Sequence, residues 1–312
     1  MNKRFFSLAA AIIALGIASS PALALSSRTF VSGVGSDAGS CPLATPCRTF
    51  AYALTQTAPS GEIIVLSSAG YGTLTITQAV SIINVGYFAG VTVASGDGIT
   101  INAVGNTSVT LRGLTIDGGG TGGNGIVFTS GGSLTIDQCN VLNFVQGTGT
   151  GNGGNGIFMV PTSGDHKIFI TNTASSNNAG VGVYYVPLSG TASTGFVIDH
   201  VTANNNSDGI SLRNGSSGAA SASIANSTAS ENVGAGFLFN NITVSLDGSY
   251  ASGNQGEGID AGIGTLSIGR TVVANNNIGI NITSGTVNSY KDNRIAGNGT
   301  PVSGTLTPVN PQ

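Results

Sequence analysis

Apolar and polar residues alternate along this chain in short runs, each closed by Gly, Asn, Ser or Asp. Alternation with period two marks half-buried β-strands, and the closing residues mark turns. The runs repeat. A Gly followed by an apolar residue occurs at Gly98-Ile99, Gly125-Ile126, Gly156-Ile157, Gly182-Val183, Gly209-Ile210, Gly236-Phe237, Gly258-Ile259 and Gly279-Ile280, with spacings of 27, 31, 26, 27, 27, 22 and 21 residues. Fixed strands joined by loops of varying length are the signature of a solenoid.

A second register runs through Ile136, Ile170, Ile198, Ile224, Leu246, Ile268 and Tyr290. Eight residues after each stand Phe144, Asn178, Asn206, Asn232, Asn254, Asn276 and Asn298. Each coil must bend sharply between strands. A left-handed backbone makes that bend, and Asn tolerates it better than other non-Gly residues. Stacked amides also bond from coil to coil. The Asn column is therefore expected as a structural ladder, with any ligand role subordinate. Together the two registers predict an all-β, right-handed parallel β-helix with three short strands per coil. About eight coils rising by ~4.8 Å each give a rod of roughly 40 Å.

Open solenoid ends need covers, because they expose unpaired strand edges. Arg48 to Gln56 reads as a short amphipathic helix with Phe50, Ala53 and Leu54 on one face, a lid on the first coil. The expected plan is an export segment at 1–24, a cap with disulfide loop and helix at 25–60, the β-helix at 61–299 and a tail at 300–312 covering the far end. Cys41 and Cys47 lie six apart in Cys41-Pro-Leu-Ala-Thr-Pro-Cys47 and are expected to form a disulfide after export. A metal site, the rival reading, needs more ligands than this segment holds. Cys139 falls three residues after Ile136, in an inward column with Thr173 and Val201, and is expected to be a buried small hydrophobe.

Composition removes several classes of function. Gly counts 49, Trp is absent and charged residues are 7%, yet hydrophobic residues reach 40%, which is not the make-up of a disordered chain. Lys3 and Arg4, the apolar run Phe5 to Ile17 and the small-x-small site Ala22-Leu23-Ala24 read as a signal peptide, so the chain is expected to be secreted or periplasmic. The apolar run is too short to span a bilayer, which takes about 20 residues. Without Lys3 and Arg4 the count is 10 − 2 = 8 basic against 13 acidic residues, a formal net charge of −5. That excludes nucleic acid as a partner and disfavours polyanionic substrates.

The coils from Gly98 to Asn298 resemble the right-handed β-helix repeats of the pectate-lyase-like superfamily. The stretch Arg28-Thr-Phe-Val31, then Cys41, then Pro46-Cys-Arg-Thr-Phe50, resembles the start of exported bacterial β-helix proteins of unassigned activity. The resemblance implies the fold. It does not imply one activity, since the superfamily holds lyases, hydrolases, esterases, epimerases and proteins without known chemistry. The Asp-Asp pair, Gly-His-Gly and Arg-Ile-Lys of polygalacturonase-like enzymes are missing. Val197-Ile-Asp-His-Val-Thr202 resembles the Trp-Ile-Asp-His segment of pectate lyases without its Trp, and their Arg-x-Pro-x-x-Arg segment is absent. Asp199 and His200 therefore read as a coil pair rather than a site.

Two outward columns carry candidate chemistry. Asp117, Asp137, Asp199 and Asp247 share one, with Asp117 and Asp137 placed on successive coils about 5 Å apart. Such a pair raises one pKa or recruits a cation, here calcium, which is the one cofactor the sequence suggests. A solvated acidic face is the favoured reading. The second column, Val127, Phe158, Tyr184, Ser211, Leu238, Asp260 and Asn281, follows the Gly-Ile pairs, with Arg213 two residues beyond Ser211. Exposed rings on a rigid face stack sugars, whereas loops folded over the column would bury them. Phe158, Tyr184, Arg213 and Asp260 are the candidate ligand-binding residues. The functional expectation is a non-catalytic secreted or cell-surface protein that binds polysaccharide or another surface component. A polysaccharide lyase or glycoside hydrolase with a divergent acidic site is the alternative.

Overall fold

The computed structural model describes residues 25–147, 149–187, 189–190 and 192–310, so the expected export segment lies outside the described residues. Those residues wind as a right-handed parallel β-helix. One side is a 12-stranded sheet running from Ser26–Val31 to Leu306–Pro308, here the long sheet. A second side is a 10-stranded sheet from Leu74–Ile76 to Thr300–Ser303, here the Gly-Ile sheet. The third side is a five-stranded and a three-stranded piece, joined through the bridges Ala174–Thr202, Thr202–Thr228 and Thr228–Tyr250. Among the described residues no helix is long and apolar enough to cross a membrane.

The interior is one apolar column per strand position. Ile136, Ile170, Ile198, Ile224, Leu246 and Ile268 stack in register in the long sheet and are fully buried. Burying each side chain stabilises by roughly 2 kcal/mol. The next position in this column is Ser289, not Tyr290 as the spacing suggested. The last coil takes its left-handed corner at Lys291 (φ 49°), four residues before Ile295 rather than three, and Asn293 then accepts the N–H of Thr271 at 2.9 Å. An extra residue in that corner shifts Tyr290 out of line.

The ladder is present, and its chemistry differs from the expectation. The left-handed residues are Asn177, Asn205, Glu231, Gly253, Asn275 and Gly297, with φ from 55° to 69°, each one position before a ladder Asn. The ladder residues turn their amides inward. The Oδ1 of Asn206 accepts from Asn178 Nδ2 at 3.0 Å and from the Asn178 N–H at 3.1 Å. The same pair of bonds joins Asn206 to Asn232, Asn232 to Asn254, Asn254 to Asn276 and Asn276 to Asn298. Each Nδ2 from Asn206 onward also donates to a backbone carbonyl, as Asn232 does to Ala203 at 3.1 Å. At a corner the backbone turns out of the sheet ladder, and a buried N–H without a partner is costly. The amide supplies both the acceptor and the donor the corner lacks. Asn is therefore required at the ladder position for its hydrogen bonds, and the bend itself accepts Asn, Glu or Gly.

The N-terminal helix spans Phe50–Gln56, two residues shorter than expected, because Thr49 is extended and caps it by accepting from Tyr52 N at 3.2 Å. Phe50, Ala53 and Leu54 are buried, with Phe50 against Tyr71 at 4.9 Å between ring centroids. Cys41 and Cys47 are disulfide-bonded with Cα atoms 5.0 Å apart. The strand Thr57–Val65 crosses the expected boundary at 60, and Ser26–Val31 within the expected cap is already a rung of the long sheet. At the far end Thr300–Ser303 and Leu306–Pro308 pair with Ile278–Ile282 and Thr286–Ser289, so the expected tail supplies one more rung.

Replacing Asn232 by Leu strands the Asn206 N–H and the Ala203 carbonyl, while the Asn254 amide oxygen keeps the N–H of residue 232. At about 1–3 kcal/mol for each orphaned buried group, denaturant unfolding is expected to show a loss of about 2 kcal/mol or more. Glu231→Gly, one residue away at the true bend, is expected to stay within about 1 kcal/mol of wild type. Cys139 is buried, and burial pushes its thiol up to about 12. Alkylation followed by mass spectrometry is expected to label Cys139 only after unfolding, since the thiolate is the reactive form.

Candidate functional site

Strand pairing places Val127, Phe158, Tyr184, Ser211, Leu238, Asp260 and Asn281 in one column of the Gly-Ile sheet, as the spacing implied. The column is not uniformly open. Val127 and Ser211 are fully buried and Phe158 is 5% exposed. A Gly-rich loop folds over the first half. Gly151 (φ 65°) lies so close to Phe158 that a side chain there would strike its ring. The Asp97 carboxylate pins this loop by accepting from Thr150 N at 3.0 Å, Thr150 Oγ1 at 2.5 Å and Asn124 Nδ2 at 2.7 Å. Phe158, a candidate ligand-binding residue in the sequence, is thus a covered residue, the outcome in which a loop folds over the column. Loop length gave the warning, since the coil leading to Gly156 is the longest.

The open half begins at Tyr184. Its ring stacks on Phe158 at 5.5 Å and 25°, and the Arg213 guanidinium lies over it, 5.9 Å from its centroid. Arg213 donates to Ser211 Oγ at 3.1 Å and pairs with Asp208 at 3.4 Å, while Asp208 also accepts the Ala235 N–H at 2.9 Å. Next along the face, Arg213, Leu238, Asn240, Asp260, Ile263 and Thr283 line an open cavity of about 380 Å³. Asp260 receives one hydrogen bond, from Asn281 at 3.3 Å. Its pKa is raised, first by burial and then by repulsion from Glu257. Asp208 and Glu257 were not singled out in the sequence. Each stands immediately before the Gly of a Gly-Ile pair, so the same register would have found them.

The acidic column divides. Asp137, Asp199 and Asp247 occupy one line in the long sheet, but Asp117 does not join them. Asp137 pairs with Arg112, while Asp117 lies in the third side beside Leu142. The segments Leu114-Thr-Ile-Asp117 and Leu134-Thr-Ile-Asp137 are identical, but Gly113 (φ 72°) turns the corner just before the first. Their separation, 137 − 117 = 20 residues, is shorter than any Gly-Ile spacing, which was the available signal. The long-sheet aspartates hold the left-handed corner of the following coil. Asp137 accepts from Thr171 Oγ1 and Asn172 Nδ2, both at 2.9 Å. Asp199 accepts from Asn226 Nδ2 at 2.9 Å, and Asp247 pairs with Arg270. His200, itself at such a corner (φ 53°), bonds Asp199 at 2.8 Å and is exposed. Hydrogen bonds from Asn226 and then His200 lower the Asp199 pKa. These groups are corner caps, and among the described residues no cluster of three or more His, Cys, Asp or Glu is placed to hold a metal ion.

No family model matches the chain, and no curated protein sequence matches it. Three solved structures are similar in backbone course. The A-module of mannuronan C-5 epimerase AlgE4 from Azotobacter vinelandii is 15% identical with a TM-score of 0.48, covering 81% of this chain and 91% of that one. Pectate lyase Pel9A is 15% identical with a TM-score of 0.45, over 92% of this chain and 78% of that one. A rhamnogalacturonan lyase is 13% identical with a TM-score of 0.47, over 84% and 75%.

The Asp260 carboxylate costs stability when ionised, because its folded pKa lies above its unfolded one. The protein is relatively favoured below the unfolded value and loses that advantage as pH rises through the folded one. Asp260→Asn is therefore expected to melt higher than wild type near neutral pH and to lose this margin in acid, below about pH 4. Thermal unfolding at the two pH values checks it, and equal margins at both would count against a destabilised carboxylate.

Proposed function

We propose that this chain is an exported, non-catalytic β-helix protein that binds polysaccharide on the open half of its Gly-Ile face. The observation that carries the reading is Asp260, a half-buried carboxylate that lines the open cavity with a sparse hydrogen-bond supply and stands three rungs from half-exposed Tyr184 in one outward column. A stabilising scaffold has no use for such a group, whereas a hydroxyl-rich ligand does. Tyr184, whose ring faces are taken up by Phe158 and Arg213, offers its ring edge and hydroxyl to a sugar. Arg213, Asn240, Asp260 and Thr283 offer donors and acceptors around the cavity, the pattern of few polar groups on a shaped surface.

Local charge narrows the ligand. Asp208, Glu257 and Asp260 face one guanidinium, Arg213, which already pairs with Asp208. A uronate polymer would add negative charge to this face. Neutral sugars, or sugars carrying an ammonium, fit it better, in line with the acidic balance of the whole chain. The alternative of a lyase or glycoside hydrolase with a divergent acidic site draws on the same residue, since a carboxyl with a raised pKa can act as a general acid. Product analysis of the same glycans distinguishes it, because binding alone leaves the polymer intact.

A glycan array followed by calorimetric titration of the best ligand tests the proposal. Tyr184→Ala is expected to weaken binding about tenfold with little change in melting, a hydrogen bond at its hydroxyl and contact with its ring edge being worth about 1 kcal/mol. Phe158→Ala, which empties a covered position, is expected to cost about 3 kcal/mol or more of stability. Failure to bind any neutral or amino-sugar polymer, or unchanged affinity in Tyr184→Ala, would overturn the assignment of this face.

A further inference from the structure

We infer that His166 is a pH-operated latch on the loops that flank the Gly-Ile face. His166 is 5% exposed, and each ring nitrogen faces a backbone carbonyl: Nδ1 is 2.6 Å from the Gly131 oxygen and Nε2 is 3.0 Å from the Ser163 oxygen. A carbonyl only accepts. A neutral imidazole has one N–H and one lone pair, so it satisfies one carbonyl and turns a lone pair toward the other. The imidazolium, with two N–H groups, satisfies both. Burial leaves no solvent to relieve the mismatch, and the Phe128 ring packs edge-on against the imidazole at 5.4 Å.

The surroundings do not supply another charge to decide the matter. Asp165 and Lys167 flank His166 on its own strand and are exposed. The strand carrying Phe128, Asn124–Ser130, has no titratable side chain. The neighbouring long-sheet strands Ser133–Asp137 and Ser193–Asp199 carry theirs at their far ends, Asp137 and Asp199. Tyr185 lies near Thr194, the cross-strand partner of His166, and burial raises its pKa, so it stays neutral.

What the latch holds is a wall of stacked loops. Ser163 belongs to the loop joining Ile157–Met159 to Asp165–Thr171. In that loop Gly164 O accepts from Ser193 N at 2.9 Å, and the Thr162 carbonyl packs against Gly190. Gly190 O in turn accepts from Ser217 N at 2.9 Å, and the Ser217 loop starts directly after Arg213. Protonation of His166 therefore ties the first loop of a contact chain that ends in the Ser217 loop, which follows Arg213 in sequence. The wall is held by both carbonyls while the ring carries two N–H groups and by one when it carries a single N–H.

The test uses the intact protein. The His166 ring is titrated by NMR from about pH 4 to about pH 8, with exposed His200 as internal reference. Over the same range hydrogen exchange gives the protection factor of the Ser193 amide, corrected for the intrinsic pH dependence of exchange. The expected result is a fall in protection of about tenfold, the worth of one buried hydrogen bond, that follows the titration observed for the His166 ring. In His166→Gln the protection factor is expected to be independent of pH. A ring that stays neutral throughout, protection that does not follow its titration, or unchanged pH dependence in His166→Gln overturns the latch. If His166→Gln does not fold, the wild-type pair of titrations decides alone.

Discussion

Everything in this protein depends on one requirement: each coil must hand its backbone hydrogen bonds to the next, including at the corners where strand pairing stops. Along the flat sides the sheets do this automatically. At the corners they do not, and the chain uses side chains instead. Inward Asn amides serve one corner, and Asp, Asn and Arg side chains serve the other. A buried polar backbone group without a partner costs about as much as a typical mutation removes, so each corner must be satisfied in its own coil.

That requirement also explains why most of the charged residues are not a site. Asp137, Asp199 and Asp247 are spent on holding the corner above them, and His200 assists. Asp97 is spent on pinning a loop. Asp260 stands apart. It caps no corner, its hydrogen-bonding is sparse, and burial raises its pKa. A residue that works against the folded state while facing an open cavity is where function is to be sought. The same logic singles out His166, whose two carbonyl neighbours suit only one of its protonation states.

The solenoid turns sequence columns into surfaces, but a column alone does not say what lies over it. Phe158 and Tyr184 are neighbours in one column and stack on each other, yet the loop carrying Gly151 covers the first and leaves the second half-exposed. A single glycine with positive φ likewise separates two identical Leu-Thr-Ile-Asp segments onto different sides of the coil, so Asp117 and Asp137 share a motif without sharing a surface.

The sequence by itself determined the fold class, the Gly-Ile register, the Asn column, the buried Cys139 and the N-terminal helix. Each follows from periodicity or from a local preference that repeats in every coil, and repetition makes a weak signal readable. Only the tertiary structure decided which residue of the corner takes the left-handed bend, where the last coil gains a residue, and which half of the aromatic column is open. It also brought Asp208, Glu257 and Asp260 to one face and set both nitrogens of His166 against carbonyls. These depend on contacts between loops of unequal length on different coils. No period in the sequence encodes them, because each occurs once.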